Sequence, residues 1–555
     1  MHRSVFALVT GLALAAPACV AATEAEIVAV VACDPYADLK KQIRWVGGLV
    51  DQPALDGFAE SFIMMATQFK GLAGLDVNRP AGLVVTASGD VPAVHAYVPV
   101  KDLAKLLDAL VGVLGPVEEV DGVRRASPPG GMPLDIVEKA GWAIVGPQGS
   151  APAVADPTEL FAGVVKPFSL GVEAFPSRMP EGMRRQLEAM LDQAARAAAA
   201  QGQQVDPASL AGLLENLGQT EALLVGATID MEGESIYAES QTRMTPGSPA
   251  AALIAEAAKG TVTVATPATA DGKPPALAVH VAMAVPERVR QDAIAGLATI
   301  RAQDGSDTAT ETAVTVLKEA LAAMIASGGY DAALSIDTSA VDGADGRPVP
   351  VLTAGMKVKD GAALEARIKK LLGDAGELPG LKVAFDSGKA AGATLHTITV
   401  SDVDGSDEDD TDDTLDLTLA VAPAYAYVLM GGDVPRRLAD VAAASGTPDP
   451  NHKPLADVSL AAGPLLRYAA ALARATDDAA ADPEGLEAAA EVADAQPSAL
   501  VRLLARPIDR GMSVRLSADA GAVRTVAASV KSPAKAAGPA LPGVRPGPLV
   551  PALAP

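Results

Sequence analysis

Two segments of the chain repeat one pattern 258 residues apart. Residues 92–102 (PAVHAYVPVKD) and 350–360 (PVLTAGMKVKD) alternate like strands, end on Lys-Asp, and continue into apolar residues at helical spacing. Asp102 and Asp360 stand where an N-cap carboxylate would accept the first free backbone N–H groups of a helix. We therefore interpret both aspartates as structural. The repeat predicts two copies of one fold in tandem.

Further matches follow in the same order along both halves. The pairs are Val30–Pro35 with Val281–Pro286, Gly141–Gly146 with Ala426–Gly431, and Phe168–Gly171 with Val458–Ala461. Growing offsets indicate loop insertions in the second copy. The predicted organisation is a signal peptide over 1–22, a first unit over 23–260, a second unit over 261–532 with an acidic loop at 401–414, and a disordered Pro, Gly and Ala tail over 533–555.

The local patterns predict an α+β fold. Short strands precede helices by only a few residues, and turn residues at 88–90 and 342–346 indicate hairpins. A helix is predicted over 180–200 from its apolar stripe. We expect each unit to be a mainly antiparallel sheet with packed helices.

The N-terminus has the layout of a secretory signal peptide. Arg3 precedes an uncharged, mostly apolar run, and Val20 and Ala22 supply the small residues of a cleavage site after Ala22. An uncleaved anchor is the alternative, and the residues before Cys19 do not form a lipobox. No later run reaches 18 apolar residues, so the mature chain is not expected to span a membrane. The predicted location is periplasmic or extracellular.

Charge and composition exclude several classes of function. The 44 Lys and Arg against 68 Asp and Glu give a formal charge of −24, which disfavours binding to nucleic acid and to anionic lipid. Two cysteines exclude a disulfide scaffold, and five scattered histidines disfavour a His-rich metal site. No cofactor is expected.

An acidic run covers residues 402–413. If it were an EF-hand loop beginning at Asp402, the required glycine at position 6 would be Asp407, and position 12 would be Asp413 instead of glutamate. The run also lies between two predicted strands, 395–400 and 415–421. A solvated hairpin loop is therefore favoured, with a calcium site as the alternative.

Candidate catalytic residues are few. His95, His280 and His396 lie in strand patterns and are not repeated between the two copies. The chain has no G-x-S-x-G, H-E-x-x-H, C-x-x-C or phosphate-loop motif. Trp142, Tyr425 and Tyr427 are expected in the core. We predict no catalytic, cofactor-binding or metal-binding residue.

The opening strand into Tyr36–Leu39, residues 71–80, Tyr97–Leu103 and Gly141–Val145 carry a resemblance. With the signal peptide, they resemble an uncharacterised family of secreted proteins of planctomycete-type bacteria. The family has no assigned activity, so the resemblance implies location and architecture only.

Two functions remain open. The first is a non-enzymatic binding or structural protein of the cell envelope, which holds an apolar ligand or a protein partner between its two units. The alternative is a secreted hydrolase whose site, assembled in space, pairs His95 or His280 with a carboxylate.

Overall fold

The computed structural model describes residues 26–531, except for 89–90, 121, 153, 201–216, 266–272, 301–307, 343–347, 375–380, 402–413, 448–454 and 476–481. The predicted cleavage site at Ala22, nearly all of the acidic loop and the C-terminal tail lie outside these residues. Contacts within the chain divide it into two compact units. The boundary along the sequence lies between Ala251 and Ala252, a few residues before the predicted boundary at 260.

The first unit alternates short helices with strands of one sheet. Its elements are β1 (Glu26–Cys33), α1 (Tyr36–Leu49), α2 (Leu55–Ala66), β2 (Ala81–Ser88), β3 (Val91–Pro99), α3 (Leu103–Ala109), α4 (Val111–Leu114), β4 (Val117–Val120), β5 (Val123–Ala126), β6 (Leu134–Lys139), β7 (Trp142–Pro147), α5 (Thr158–Val165), β8 (Leu170–Ala174), a 3₁₀ turn (Pro176–Arg178), α6 (Glu181–Ala200), β9 (Thr220–Asp230) and β10 (Ser235–Met244). Helix α6 confirms the helix predicted over 180–200.

Helix α7 (Pro249–Ala257) contains the boundary between the units, and the other elements of the second unit follow it. Its elements are β11 (Leu277–Ala284), α8 (Glu287–Gly296), a 3₁₀ turn (Leu297–Thr299), α9 (Thr308–Ala326), β12 (Gly329–Asp342), β13 (Pro348–Lys357), α10 (Gly361–Asp374), β14 (Leu381–Ala390), β15 (Ala393–Ser401), β16 (Thr414–Val421), β17 (Tyr425–Met430), α11 (Val434–Ala444), β18 (Ala456–Ala461), α12 (Ala462–Ala475), α13 (Pro483–Asp494), β19 (Leu500–Ile508), β20 (Gly511–Asp519) and α14 (Ala520–Lys531).

The sheets of the two units have the same strand order. In the first unit it is β4-β5-β6-β7-β3-β2-β1-β8-β9-β10. In the second it is β14-β15-β16-β17-β13-β12-β11-β18-β19-β20. These pairings are all antiparallel, and the described residues are 38% helical and 37% strand, which confirms the α+β class. The shared order supports the predicted duplication.

Both predicted helix caps are present. Asp102 accepts a hydrogen bond from the Lys105 backbone N–H at 3.1 Å, and Asp360 accepts one from Ala363 at 3.0 Å. The hydrogen bond from the Lys105 backbone N–H and, to a smaller extent, the one from the Lys105 side chain lower the pKa of Asp102. Each carboxylate satisfies an N–H group that the first helical turn leaves without a partner.

Helices cover one half of each sheet on both faces. On one face, α3 of the first unit and α10 of the second pack on matching apolar positions: Val98, Val100, Leu106, Ala143 and Val145 in the first unit, and Met356, Val358, Leu364, Ala426 and Val428 in the second. On the other face, α5 brings Phe161 onto Tyr97 and Trp142, with ring centroids 5.6–6.4 Å apart. Leu438 and Val441 of α11 pack likewise on Tyr427 and Leu429.

The strand register corrects one detail of the sequence alignment. Trp142 lies opposite Pro99, whereas Tyr425 lies opposite Lys357, which is the counterpart of Pro99. Trp142 therefore corresponds to Tyr425, two residues before the Tyr427 of the sequence match. The expected core position holds for Trp142 and Tyr427, which are 0% and 1% exposed.

Substituting Leu106→Ala should lower the free energy of unfolding by about 2–5 kcal/mol, because it removes a buried side chain with which α3 packs on the sheet. Urea unfolding followed by tryptophan fluorescence and circular dichroism measures the change. Leu317→Ala, at a position that is 49% exposed, is the matched control and should change stability little. Equal effects of the two substitutions would contradict the packing described here.

Candidate functional site

A histidine and two carboxylates meet in the second unit. His396 of β15 is 2% exposed, and its Nε2 lies 3.4 Å from Glu365 Oε1 of α10. Its Nδ1 accepts the backbone N–H of Asp386 at 3.1 Å. Asp386 can turn its N–H towards the ring because it adopts a left-handed conformation, with φ +52°, inside an irregular stretch of β14.

Lysine 369 occupies the space between the two carboxylates of this cluster. Lys369 Nζ is 2.7 Å from Glu365 Oε1 and 2.8 Å from Asp386 Oδ1. Hydrogen bonds to Asp386 and Glu365 raise the pKa of Lys369, and the Lys369 bond lowers the pKa of Asp386. The ammonium thus neutralises the negative charge that a metal ion would otherwise meet.

The protonation of His396 also argues against a metal at this cluster. Glu365, Asp386 and His396 offer ligand atoms that lie within 4.8 Å of one another. Because Nδ1 accepts an N–H, a neutral ring carries its hydrogen on Nε2, the atom that would have to bind the ion. A metal on Nε2 would instead require Nδ1–H, which faces another N–H. The three residues do not fit a divalent cation.

His95 contacts a serine in the first unit. Its Nε2 lies 3.1 Å from Ser150 Oγ, and Ser150 Oγ donates to the carbonyl oxygen of Pro147 at 2.6 Å. Because the Ser150 hydroxyl hydrogen points to the carbonyl oxygen of Pro147, His95 Nε2 must donate its own hydrogen to Ser150 Oγ. His95 therefore cannot act as a base towards Ser150. His95 Nδ1 has no hydrogen-bond partner, whereas a catalytic triad places a carboxylate there. The contact ties the turn after β7 to the sheet.

His280 lies in β11, opposite Ala333 and Asp457 in the strand ladders. Asp457 is ion-paired with Arg502, whose Nε donates to it at 2.8 Å. Within the second unit, β11 and β15 are five positions apart in the strand order, so the sheet does not bring His280 and His396 together. For His95, the hydrolase alternative thus finds no carboxylate partner among the described contacts.

A buried aspartate in the second unit accepts hydrogen bonds from one neighbouring segment. Asp331 of β12 is 6% exposed and accepts the backbone N–H groups of Thr263 at 3.0 Å and Val264 at 3.3 Å. The Thr263 hydroxyl also donates to it. These bonds fix the segment 262–264 against the sheet, so Asp331 acts as a structural anchor.

A polar cavity of about 320 Å³ lies in the first unit beside α1 and the β8–β9 region. Gln42 Nε2 donates to Asp34 Oδ2 at 2.8 Å at its wall. Thr228 and Tyr237 both donate their hydroxyl hydrogens to the carbonyl oxygen of Pro167, at 3.1 and 3.2 Å. Gln42 Oε1 is buried without a hydrogen-bond partner, and the described lining contains no paired nucleophile and base.

The other half of each sheet leaves one face exposed. In the first unit, Val172 lies between Val31 and Val225, and the exposed residues of this β8–β9 face are Leu170 at 47%, Val172 at 39% and Val225 at 43%. In the second unit, Leu503 lies between Val458 and Leu516, and the exposed residues of this β18–β20 face are Leu460 at 37%, Leu503 at 40% and Leu516 at 52%.

The β8–β9 face and the β18–β20 face occupy the same place in the two strand orders. The strand registers put Val172 on the side of the sheet where α3 packs, and Leu503 on the side where α10 packs. A contiguous patch of exposed apolar side chains on a monomer often marks a binding site. Their recurrence in both units makes these faces the candidate functional surface.

No protein-family model, curated protein or solved structure matches the chain. Among the described residues, no helix is both long and apolar enough to cross a membrane. The surfaces and side-chain clusters are therefore what a functional proposal has to rest on.

Sequence reasoning missed the two apolar faces. The strand segment 500–508 (LVRLLARPI) contains the apolar alternation that normally marks a buried face. The apolar side of this strand is exposed because no helix in the described part of the chain packs on it, and that is a property of the tertiary structure.

The stability of the second unit should fall at acidic pH through His396. Burial lowers the pKa of His396, so the folded chain binds a proton less readily than the unfolded chain. The stabilisation is complete above the ordinary histidine pKa of about 6.5 and is lost as the pH falls below it. His396→Gln should reduce the difference between urea midpoints measured at about pH 7.5 and about pH 5.5.

The variant Leu395→Ala controls for a general loss of stability in the same strand. It should lower both urea midpoints and keep the pH difference of the wild type. An undiminished pH difference in His396→Gln would show that His396 does not carry the effect.

Proposed function

We propose that the protein is an exported, non-enzymatic binding protein whose two units hold a protein partner through the β8–β9 face and the β18–β20 face. The observation that carries the proposal is the recurrence of the same exposed apolar face in both units. Export rests on the signal peptide predicted to be cleaved after Ala22. The resemblance to the secreted planctomycete-type family stays a prediction that agrees with this location.

The shape of the faces favours a protein over a small apolar ligand. A small-molecule site encloses most of its ligand in an apolar pocket. Here the apolar side chains lie on open strands, and the described cavity near Asp34 is polar. A partner that offers its own apolar surface would bury Val172 or Leu503 without an enclosing cavity.

Two similar faces on one chain also affect affinity. When a partner offers two matching sites that both units reach, the second contact forms at a raised effective concentration. Each face can then be modest in area while the pair gives stable binding.

Site-specific photo-cross-linking tests this proposal. A photoreactive residue placed at Val172 or at Leu503 should capture the same envelope protein, because the two faces are alike. Val526, which is 62% exposed on α14 and lies on neither face, is the matched control position and should capture nothing specific. Substituting Leu503→Asp should lower capture at position 172 several-fold if both faces bind one partner.

Other outcomes of the cross-linking experiment decide against the proposal. Equal capture from position 526 would show that the adducts are non-specific. Adducts of lipid in place of protein, identified by mass spectrometry, would favour the apolar-ligand alternative.

The hydrolase alternative makes a separate prediction at Ser150. Because the Ser150 hydroxyl donates to Pro147, a fluorophosphonate probe should not label it. Intact-mass measurement after incubation with the probe checks this, with Ser150→Ala as the control. Labelling that disappears in Ser150→Ala would establish a reactive serine and support the hydrolase.

A further inference from the structure

Helix α2 presents an apolar stripe to solvent. Phe58, Phe62 and Met65 follow one another at helical spacing on α2 and are 68%, 56% and 66% exposed, and Phe69, which is 78% exposed, follows in the turn after the helix ends at Ala66. We call these four residues the Phe stripe. They include three of the eight phenylalanines of the chain. No residue of α2 is buried, so burial in the core of this unit does not explain the stripe.

Charged side chains outside α2 hold the helix and the Phe stripe in place. Arg44 of α1 pairs with Asp56 at 2.8 Å, and Lys40 pairs with Glu60. At the other end, Lys70 Nζ donates to Asp108 Oδ1 at 2.8 Å. Charged contacts at both ends thus fix the orientation of α2, although each exposed pair adds little stability by itself.

Helix α9 of the second unit corresponds to α2 in the order of elements, but it buries apolar side chains in its own unit. Helix α9 buries Met324 and Ile325, which are 4% and 0% exposed, and packs Val316 against the cluster around Leu364. The second helix of the repeat can therefore cover its own unit. In the first unit, the second helix, α2, instead exposes large aromatic side chains to solvent. The fold therefore does not require an exposed apolar stripe at this helix.

Charge disfavours an anionic lipid surface as the occupant of the stripe. Helices that lie in a membrane interface are usually rich in Lys and Arg on the polar side, whereas α2 carries Asp56 and Glu60 and no basic residue. The acidic side chains of α2, Asp56 and Glu60, are each neutralised by a base of α1. A second copy can therefore approach the stripe without meeting unpaired charge there.

The area of the stripe suits a dimer. Val111 and Val113, which are 38% and 50% exposed, flank Gly112, and Gly112 lies beside Gln68 near the end of the stripe. With about 200 Å² for each large side chain, the patch offers roughly 600–750 Å² per chain. Two copies would bury about 1,200–1,500 Å², which reaches the size of specific protein interfaces.

We propose that the Phe stripe binds the same stripe of a second copy of this chain and forms a twofold-symmetric dimer. A twofold contact uses one self-complementary patch on both partners. The apolar row at helical spacing allows two α2 helices to pack side by side. The Phe stripe shares no residue with the β8–β9 and β18–β20 faces, so the dimer does not depend on the partner proposed for them.

Sedimentation velocity of the mature full-length chain at micromolar concentrations tests the dimer. The wild type should sediment as a dimer of about twice the mass of one chain. Phe62→Asp should be a monomer with unchanged circular dichroism, because position 62 is exposed. Phe62→Leu should stay dimeric. Leu317→Asp, at the exposed position of α9, is the matched control and should also stay dimeric.

Cysteine cross-linking adds a geometric test. Met65→Cys in a Cys33→Ala background should form a disulfide-linked dimer on mild oxidation, since Met65 lies within the stripe. Leu317→Cys in the same background should not. A monomeric wild type, a dimer that survives Phe62→Asp, or binding of a monomeric chain to phosphatidylglycerol vesicles through the stripe would each overturn the proposal.

Discussion

The structure of each unit depends on apolar packing on both faces of one half of its antiparallel sheet. On one face, α3 and α10 cover the strands that carry Val98 and Met356. On the other, α5 places Phe161 against Trp142. A strand buried on both faces needs apolar residues at successive positions, and β7 (WAIVGP) provides them. This double cover places β3, β7 and their counterparts in the core of each unit.

The same constraint explains where the surfaces lie. Helices cover the β3–β7 half on both sides, so side chains there are committed to the core. On the β1–β8–β9 half, one face has apolar residues such as Val172 that remain more than a third exposed. The second unit repeats this asymmetry at Leu503. A fold that leaves the same face open twice has a natural place for an interaction, away from the residues that stabilise it.

Three buried titratable residues of the sheets, His95, His396 and Asp331, have structural roles. His95 bonds the turn at Ser150, His396 accepts the Asp386 N–H, and Asp331 holds the Thr263 segment. Each of these three side chains meets a backbone group or a neighbour that offsets part of its desolvation. Burial lowers the pKa of both His95 and His396, which keeps them neutral and suits a structural role.

The sequence by itself determined the α+β class, the capping roles of Asp102 and Asp360, the helix over 180–200 and the strand positions of His95, His280 and His396. These features follow from local periodicity and from side-chain to backbone hydrogen bonds, which need only neighbouring residues. Only the tertiary structure decided the strand order, the two-residue shift that pairs Trp142 with Tyr425, and the exposure of Leu503 and Phe62. Alternation shows that one side of a strand or helix is apolar, but whether another element covers that side depends on contacts between residues far apart in the chain.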